Sequence, residues 1–421
     1  MLTQTENDAL TLVSPGTPMG NLMRRYWMPV GMSWEVESDG SPLRVRLLGE
    51  KLVAFRDTSG RVGLMAESCP HRGASLWFGR NEEDGLRCVY HGWKFDHTGQ
   101  CVHQMNEPND TDFSQKIKNV AYPTAEMGGL IWTFMGPADK QPPLPEFAWT
   151  QAPEDQRHVN KTYEECNWLQ AMEGGLDTSH APILHRRLTN DTDLPGVSPS
   201  MPFVRGKAPK LEVDETDYGY AYYGIRQLDE DKLHVRGYHF IMPFTQIRQE
   251  PFSGNDIVAG HMWVPMDDNT CMVYNWEYSP SGTGMEDQEL VARILGTGPG
   301  EQTPDFKKVR ALTNDYLIDR EAQKKFTFTG IFGVNVQDHA VQESMGPIVD
   351  RSIEHLGPAD KAIIIMRKQL AQGVRVVADG GDPSGTGDTY YNVVAIDTVM
   401  SATADFREET RASMFPEPIT S

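Results

Sequence analysis

Cys69-Pro-His71-Arg-Gly73 and Cys88-Val-Tyr-His91-Gly92-Trp93, two short segments in the first quarter of the chain, each carry one thiol and one imidazole. Sixteen residues lie between His71 and Cys88. A zinc finger of the two-cysteine, two-histidine type presents both cysteines first and both histidines last. Here the order is Cys-x-His, then Cys-x-x-His, so each segment supplies one ligand of each kind. That pattern suits two unlike irons, thiolates on one and imidazoles on the other. It is the Rieske form of a [2Fe–2S] centre, in which neutral imidazoles replace two thiolates and raise the potential. A zinc site is the alternative these residue types allow, and the ligand order argues against it. Gly73 and Gly92 follow the histidines, where the backbone must turn closely around the cluster.

Outward from this pair the sequence reads as short strands. Arg44 to Leu47 alternates, Lys51 to Phe55 follows a Gly-Glu turn, Thr58 to Arg61 makes the next hairpin, and Trp93 to Phe95 precedes another turn at Asp96–Gly99. Leu130 to Met135 closes this all-β region. The following stretch, 136–145, holds four prolines and cannot be regular structure. The expected division is therefore a first domain over 1–150 and a second over 151–421. In the second, a helix is expected around Tyr163–Leu188, then strands at Tyr218–Arg226, Lys232–Met242, Asp256–Val264 and Thr270–Tyr278. Helices return near Asp305–Lys325 and Asp360–Leu370, and the tail after Glu408 reads as weakly ordered. Strands flanked by helices predict an α+β domain with an antiparallel sheet.

A chain of 421 residues is too long for one ordinary core. No run approaches the roughly 18 uncharged apolar residues of a membrane span, and MLTQTENDAL lacks the basic and apolar regions of an export signal. Cys101, Cys166 and Cys271 stand at unrelated spacings and read as reduced thiols, so a cytoplasmic location is expected. The balance of 39 basic against 59 acidic residues gives a net charge of −20. Such a surface repels nucleic acid; it serves solubility or favours a redox partner with a basic docking face.

A one-electron cluster needs a consumer of electrons. The candidate is Asn167-Trp-Leu-Gln-Ala-Met-Glu-Gly-Gly-Leu-Asp177-Thr-Ser-His180-Ala-Pro-Ile-Leu-His185. Two histidines and a carboxylate are the donor set that holds non-haem Fe(II) with positions left open. On a regular helix, His180 and His185 would point about 140° apart. Pro182 disfavours helical geometry at Ala181, so the helix is expected to break there and let both imidazoles converge.

These pieces, with Pro15-Gly-Thr-Pro-Met-Gly20 and Arg24-Arg-Tyr-Trp27, make the sequence similar to the catalytic (α) subunits of Rieske non-haem iron aromatic-ring-hydroxylating oxygenases. The phthalate dioxygenase-like branch is the one it most resembles, over roughly residues 10 to 370. The resemblance implies a helix-grip type of catalytic domain. It also implies a third iron ligand downstream, at Asp338 in Gln337-Asp338-His-Ala-Val-Gln-Glu343, with Glu343 and Asp350 as alternatives. By the same resemblance Asp177 links a cluster histidine of one subunit to an iron histidine of its neighbour, which implies a homo-oligomer, a trimer or stacked trimers. Asn167 is expected near the iron, or else as a helix-start residue.

The chain has no glycine-rich dinucleotide fingerprint and no four-cysteine ferredoxin pattern. A separate reductase must then bring electrons from NAD(P)H, and the resemblance implies one that carries flavin and a ferredoxin-type iron–sulfur centre. In Leu233 to Met242, alternation puts His234, Arg236, Tyr238 and Phe240 on one face. One cation among aromatic rings suits a carboxylated aromatic gripped by Arg236, with Arg205 and Arg226 as further candidates. The resemblance points to the same class, attacked with O₂ by cis-dihydroxylation or, alternatively, by O-demethylation of a methoxylated acid. A Rieske electron carrier or binding module without oxygenase activity is the reading from a different class.

Overall fold

A computed structural model describes residues 1–108, 110–188, 208–250, 257–282, 285, 288–298 and 300–416. Arg205 lies outside the described residues. The chain forms two compact units, Val13–Pro145 and Met1–Leu12 with Glu146–Ser421.

The unit Val13–Pro145 is built from three small antiparallel sheets. One joins Trp27–Met32, Leu130–Phe134 and Thr124–Met127; a second joins Leu43–Leu47, Glu50–Arg56, Val62–Ala66 and Ala121–Tyr122. The third joins Arg80–Glu82, Gly85–Arg87, Trp93–Phe95 and Cys101–Gln104. Three hairpins close with two-residue turns, Leu48-Gly49, Glu83-Asp84 and Gly128-Gly129, each with positive φ at both residues, the geometry whose twist matches the flanking strands. The core gathers Phe55, Leu76, Leu86 and Phe95 directly behind Cys69 and Cys88.

The second unit centres on an eight-stranded antiparallel sheet. Its order is Arg157–Glu164, Cys271–Tyr278, Val258–Pro265, Thr245–Gln249, Lys232–Ile241, Gly219–Gln227 and Lys210–Glu215. Ile396–Ser401, a strand the sequence reading missed, pairs with the first half of Lys232–Ile241. Helix Trp168–Leu176 lies on strand Val258–Pro265 and beside helix Val334–Ser344. Two adjacent glycines permit that approach. A Cβ on Gly175 would fall 2.1 Å from the Trp263 ring, and one on Gly174 would fall 2.0 Å from Gln342 Nε2.

Several expectations are corrected. The first twelve residues pack with the second unit, not the first. Leu2 N–H donates to the Arg351 carbonyl, Arg351 donates to Asn7 Oδ1, and the Trp168 indole donates to the Thr11 carbonyl. The units divide at Pro145/Glu146, five residues before the expected boundary. The helix expected over 305–325 reduces to a 3-10 stretch, Leu312–Leu317, and a six-residue helix, Arg320–Lys325. Phe306, Asp315, Tyr316 and Leu317 have positive φ, which interrupts any continuous helix. The tail forms helix Phe406–Met414, capped by the Asp405 side chain. Among the described residues no helix is long and apolar enough to cross a membrane.

Candidate metal centres

The two cysteine–histidine loops have the same backbone construction. Cys69 N–H bonds the Ala74 carbonyl while Gly73 N–H returns to the Cys69 carbonyl. Cys88 N–H bonds the Trp93 carbonyl while Gly92 N–H returns to the Cys88 carbonyl. Gly73 and Gly92 both take φ of 75°, a conformation that costs glycine nothing. Each loop thus buries its cysteine and lifts its histidine to the surface. His71 and His91 meet edge to face with ring centres 4.5 Å apart, and His71 stacks on Trp93 at 4.4 Å. Burial, with the neighbouring Cys88, pushes the Cys69 thiol up to about 12, against the backbone N–H groups of His71 and Arg72 that lower it. Two buried thiols facing each other, with two imidazoles beyond them, fit a cluster whose irons would ionise the thiols.

In the second unit the expected helix ends at Leu176. Asp177 caps it, and a short turn, Ala181–Leu184, restarts with Pro182 in its first positions. The break turns His180 and His185 toward each other, ring centres 5.3 Å apart. Asp338 arrives from the middle of helix Val334–Ser344. His180 Nε2 and His185 Nε2 stand 3.2 and 3.4 Å from one oxygen, Asp338 Oδ1, and all three donors lie within 4.8 Å of one another.

The outer contacts fix which nitrogens are free. His180 Nδ1 faces Asp177 Oδ2 at 3.3 Å. His185 Nδ1 faces Gln337 Oε1 at 2.7 Å, and Gln337 Nε2 donates to the Ile331 carbonyl, so Oε1 must accept. Both rings therefore carry a proton on Nδ1 and, when neutral, turn an Nε2 lone pair toward a carboxylate oxygen. Three electron-rich atoms aimed at one point repel unless a cation sits among them, and imidazoles oriented from behind by a carboxylate or amide are what a metal site requires. The donor set fits iron(II). Without a metal ion a proton takes the cation's place: burial opposes it, but Asp177 and Asp338 raise the His180 imidazole to about 10, and His185 and His180 hold the Asp338 carboxyl well below the usual range despite its burial.

The alternative ligands are committed elsewhere. Glu343 accepts from Lys308 Nζ at 2.6 Å, from the Glu165 N–H at 2.8 Å and from the Tyr316 hydroxyl. Asp350 is exposed and caps Ser352. Asn167, expected beside the iron, does not line the site. It is the cap of helix Trp168–Leu176, accepting from Leu169 N–H and donating to the Thr11 and Asp268 carbonyls. Those contacts use its amide fully.

A pocket opens over the three donors, its floor formed by Tyr238, Gln246, Arg248 and His261. Arg236 reaches this pocket, but its guanidinium is paired with Asp397 at 2.9 Å and donates to the Gln249 carbonyl. Arg226 is buried outside it, holding the Thr178 carbonyl. The cation that sequence reasoning missed is Arg248. Its Nε donates to His261 Nε2 at 3.1 Å, and no described residue accepts from its terminal nitrogens. Only the strand register shows it: Arg248 lies two residues beyond Gln246, on the same face of the sheet.

Comparisons with known proteins identify the family. The family model described as "LigXa C-terminal domain like" matches residues 133–419, and the Rieske [2Fe-2S] domain model matches residues 26–120. The 3-chlorobenzoate-3,4-dioxygenase oxygenase subunit of Comamonas testosteroni is 38% identical over 403 residues, covering 92% of each chain. The phthalate 4,5-dioxygenase oxygenase subunit of Pseudomonas putida is 37% identical over 420 residues, 97% of this chain and 94% of that one. The 5,5'-dehydrodivanillate O-demethylase oxygenase subunit of a Sphingobium species is 33% identical, covering 91% of this chain and 83% of that one. Among solved structures, dicamba monooxygenase bound to dicamba superposes with a TM-score of 0.61 at 18% identity, over 85% of this chain and 98% of that one. That likeness concerns the fold alone.

Proposed function

The chain belongs to the oxygenase subunits of the Rieske non-haem iron aromatic-ring-hydroxylating oxygenases, and on that premise we propose that it hydroxylates a carboxylated aromatic with O₂. In the reading we favour, the arene, O₂, two electrons and two protons give a cis-dihydrodiol. The electrons come one at a time from NAD(P)H through a separate reductase. Cys69, His71, Cys88 and His91 hold the cluster; His180, His185 and Asp338 hold the iron, which when bound supplies the site where O₂ is reduced. Asp177 and Gln337 keep both iron histidines in the ligating tautomer.

The observation that carries the substrate reading is Arg248, which shares a pocket with the three iron donors and whose terminal nitrogens meet no acceptor among the described residues. It takes the role first expected of Arg236. A planar fork grips a carboxylate with two parallel bonds and leaves the ring over the iron donors. The relatives named for 3-chlorobenzoate and phthalate support an acid of this kind. The relative named as an O-demethylase supports the competing outcome, in which a methoxy carbon is hydroxylated and formaldehyde leaves.

The test is a product assay with a surrogate reductase over benzoates, phthalates and methoxybenzoates, scoring diol against formaldehyde. Arg248→Met is expected to raise KM for the accepted acid about 10- to 100-fold, as loss of a charge-assisted pair would. Formaldehyde without diol would replace dihydroxylation by demethylation. No turnover of any acid on the panel would sink the substrate reading.

We also read the assembly as a head-to-tail ring of three, single or stacked, with Asp177 linking a cluster histidine of one subunit to an iron histidine of the next; heterologous contacts of this type close into rings. The partly exposed cluster histidines, beside Val89 and Tyr90 at 56% and 54% exposure, offer such a contact. Sedimentation at the mass of one chain would refute it. Five unpaired cysteines are in keeping with a reducing cytoplasm, which cell fractionation checks.

A further inference from the structure

We propose that His261, held in place by Asn275 and Asn160, aims Arg248 and thereby sets the preference for an acid over its neutral analogue; this rests on the reading of Arg248 given above. The residues form a ladder across the sheet. Asn160 pairs with Asn275, Asn275 with His261, and His261 with Gln246. Directly opposed residues share a face, and Arg248 follows on that same face.

The hydrogen bonds along the ladder run in one direction. Asn160 turns its Nδ2 toward His158 Nε2 at 3.5 Å, so its Oδ1 is left to accept from Asn275 Nδ2 at 2.8 Å. Asn275 Oδ1 then faces His261 Nδ1 at 2.6 Å and accepts from it. The His261 proton is thereby placed on Nδ1, and its Nε2 lone pair accepts from Arg248 Nε. Burial, with Arg248 beside it, holds the His261 imidazole down at about 3 despite Asn275, so the ring stays an acceptor at ordinary pH.

The consequence is geometric. An arginine offers a carboxylate either its Nε edge or its end-on pair of terminal nitrogens. His261 occupies the first, so only the end-on fork is presented to the pocket. The chain has fixed the long side chain before substrate arrives, which lowers the ordering cost of binding. His261 is a positioning residue, acting through Arg248.

The experiment compares wild type, His261→Leu, His261→Gln and Arg248→Met as holoenzymes, with 3-chlorobenzoate and 3-chlorobenzamide as probes. Kd is measured without O₂, and KM and kcat during turnover. Only preparations with wild-type iron content and cluster spectrum are compared. His261→Leu is expected to weaken the acid about tenfold and the amide by no more than about twofold, the loss falling on KM rather than kcat. His261→Gln is expected to recover most of it, because its amide can accept from Arg248 and donate to Asn275. Equal losses for acid and amide, no loss for either, or a glutamine variant no better than the leucine one would overturn the proposal. If Arg248→Met separates acid from amide and His261→Leu does not, the ladder falls alone. If Arg248→Met does not separate them, the reading of Arg248 falls with it.

Discussion

Replacing Glu343 by alanine is expected to cost the catalytic unit about 3–5 kcal/mol, the penalty for breaking a buried ion pair from one side. Lys308 and Glu343 side chains are 4% and 1% exposed, and their charged atoms are 2.6 Å apart. Without the carboxylate, the Lys308 ammonium keeps one hydrogen bond among the described residues, to the Tyr163 carbonyl at 3.0 Å, with the Glu164 carboxyl acting on it through space, and the Glu165 N–H and Tyr316 hydroxyl lose their acceptor. Lys308→Met combined with Glu343→Leu removes both charges together, and apolar replacement of a whole buried pair is often close to neutral. The double variant is therefore expected to recover most of the loss. Urea unfolding followed by tryptophan fluorescence reads the stabilities, and iron analysis reads the centre. If Glu343→Ala unfolds like wild type but loses its mononuclear iron, Glu343 is a ligand and the clamp is wrong. If the double variant is no better than the single one, the two charges are not coupled.

Two further outcomes follow from neighbouring contacts. Burial pushes the Glu164 carboxyl up to about 8, with Glu343 and Asp338 adding and Lys308 and Cys166 opposing. The unfolded chain ionises it near pH 4.3, so its contribution is fully present below that pH and is lost as pH rises through about 8. Glu164→Gln cannot ionise, so it should gain on wild type by on the order of 1 kcal/mol per pH unit between about 5 and 8; urea midpoints that stay parallel across this window would contradict it. Gln337→Leu removes the acceptor behind His185 and should weaken Fe(II) or Co(II) binding by about 10- to 100-fold in titrations of the iron-depleted site. Unchanged affinity would show that His185 needs no such support.

The Rieske domain was legible because its four proposed cluster ligands sit in two local loops whose spacing alone points to such a centre. The iron histidines were nearly as legible, since Pro182 signals the break that brings them together. Asp338 had no local signature; it stands 153 residues beyond His185, and only resemblance marked it. The arginines show where strand alternation stops. Period-two reading put Arg236 on the correct face, but its counter-ion Asp397 comes from an unforeseen strand at the far end of the chain. Arg248 differs: its register partner across the strand is the small Ala259, among the described residues only its Nε meets an acceptor, and Glu250 and Glu277 act on it through their charge. Asn167 failed as an iron neighbour because a capping asparagine spends its amide on the helix start.

The three iron donors come from segments that are each tied down without the metal. Helix Trp168–Leu176 is held by its glycine contacts and by Gln170, which donates to the Gln342 and Gly346 carbonyls. Helix Val334–Ser344 is held by the Glu343 clamp five residues beyond Asp338. Gln337, on that same helix, reaches back to His185. An ion entering such a site has little chain to order, so its binding energy is not consumed in folding the corner. This separates the site from a zinc finger, where metal binding and folding are one event. It also gives the Glu343 experiment its second reading. Loosening the clamp should lower iron affinity only through the wandering of Asp338, so the loss of iron should be graded with the loss of stability across Glu343→Ala and the Lys308→Met/Glu343→Leu double variant. A ligand's removal would instead abolish iron at full stability.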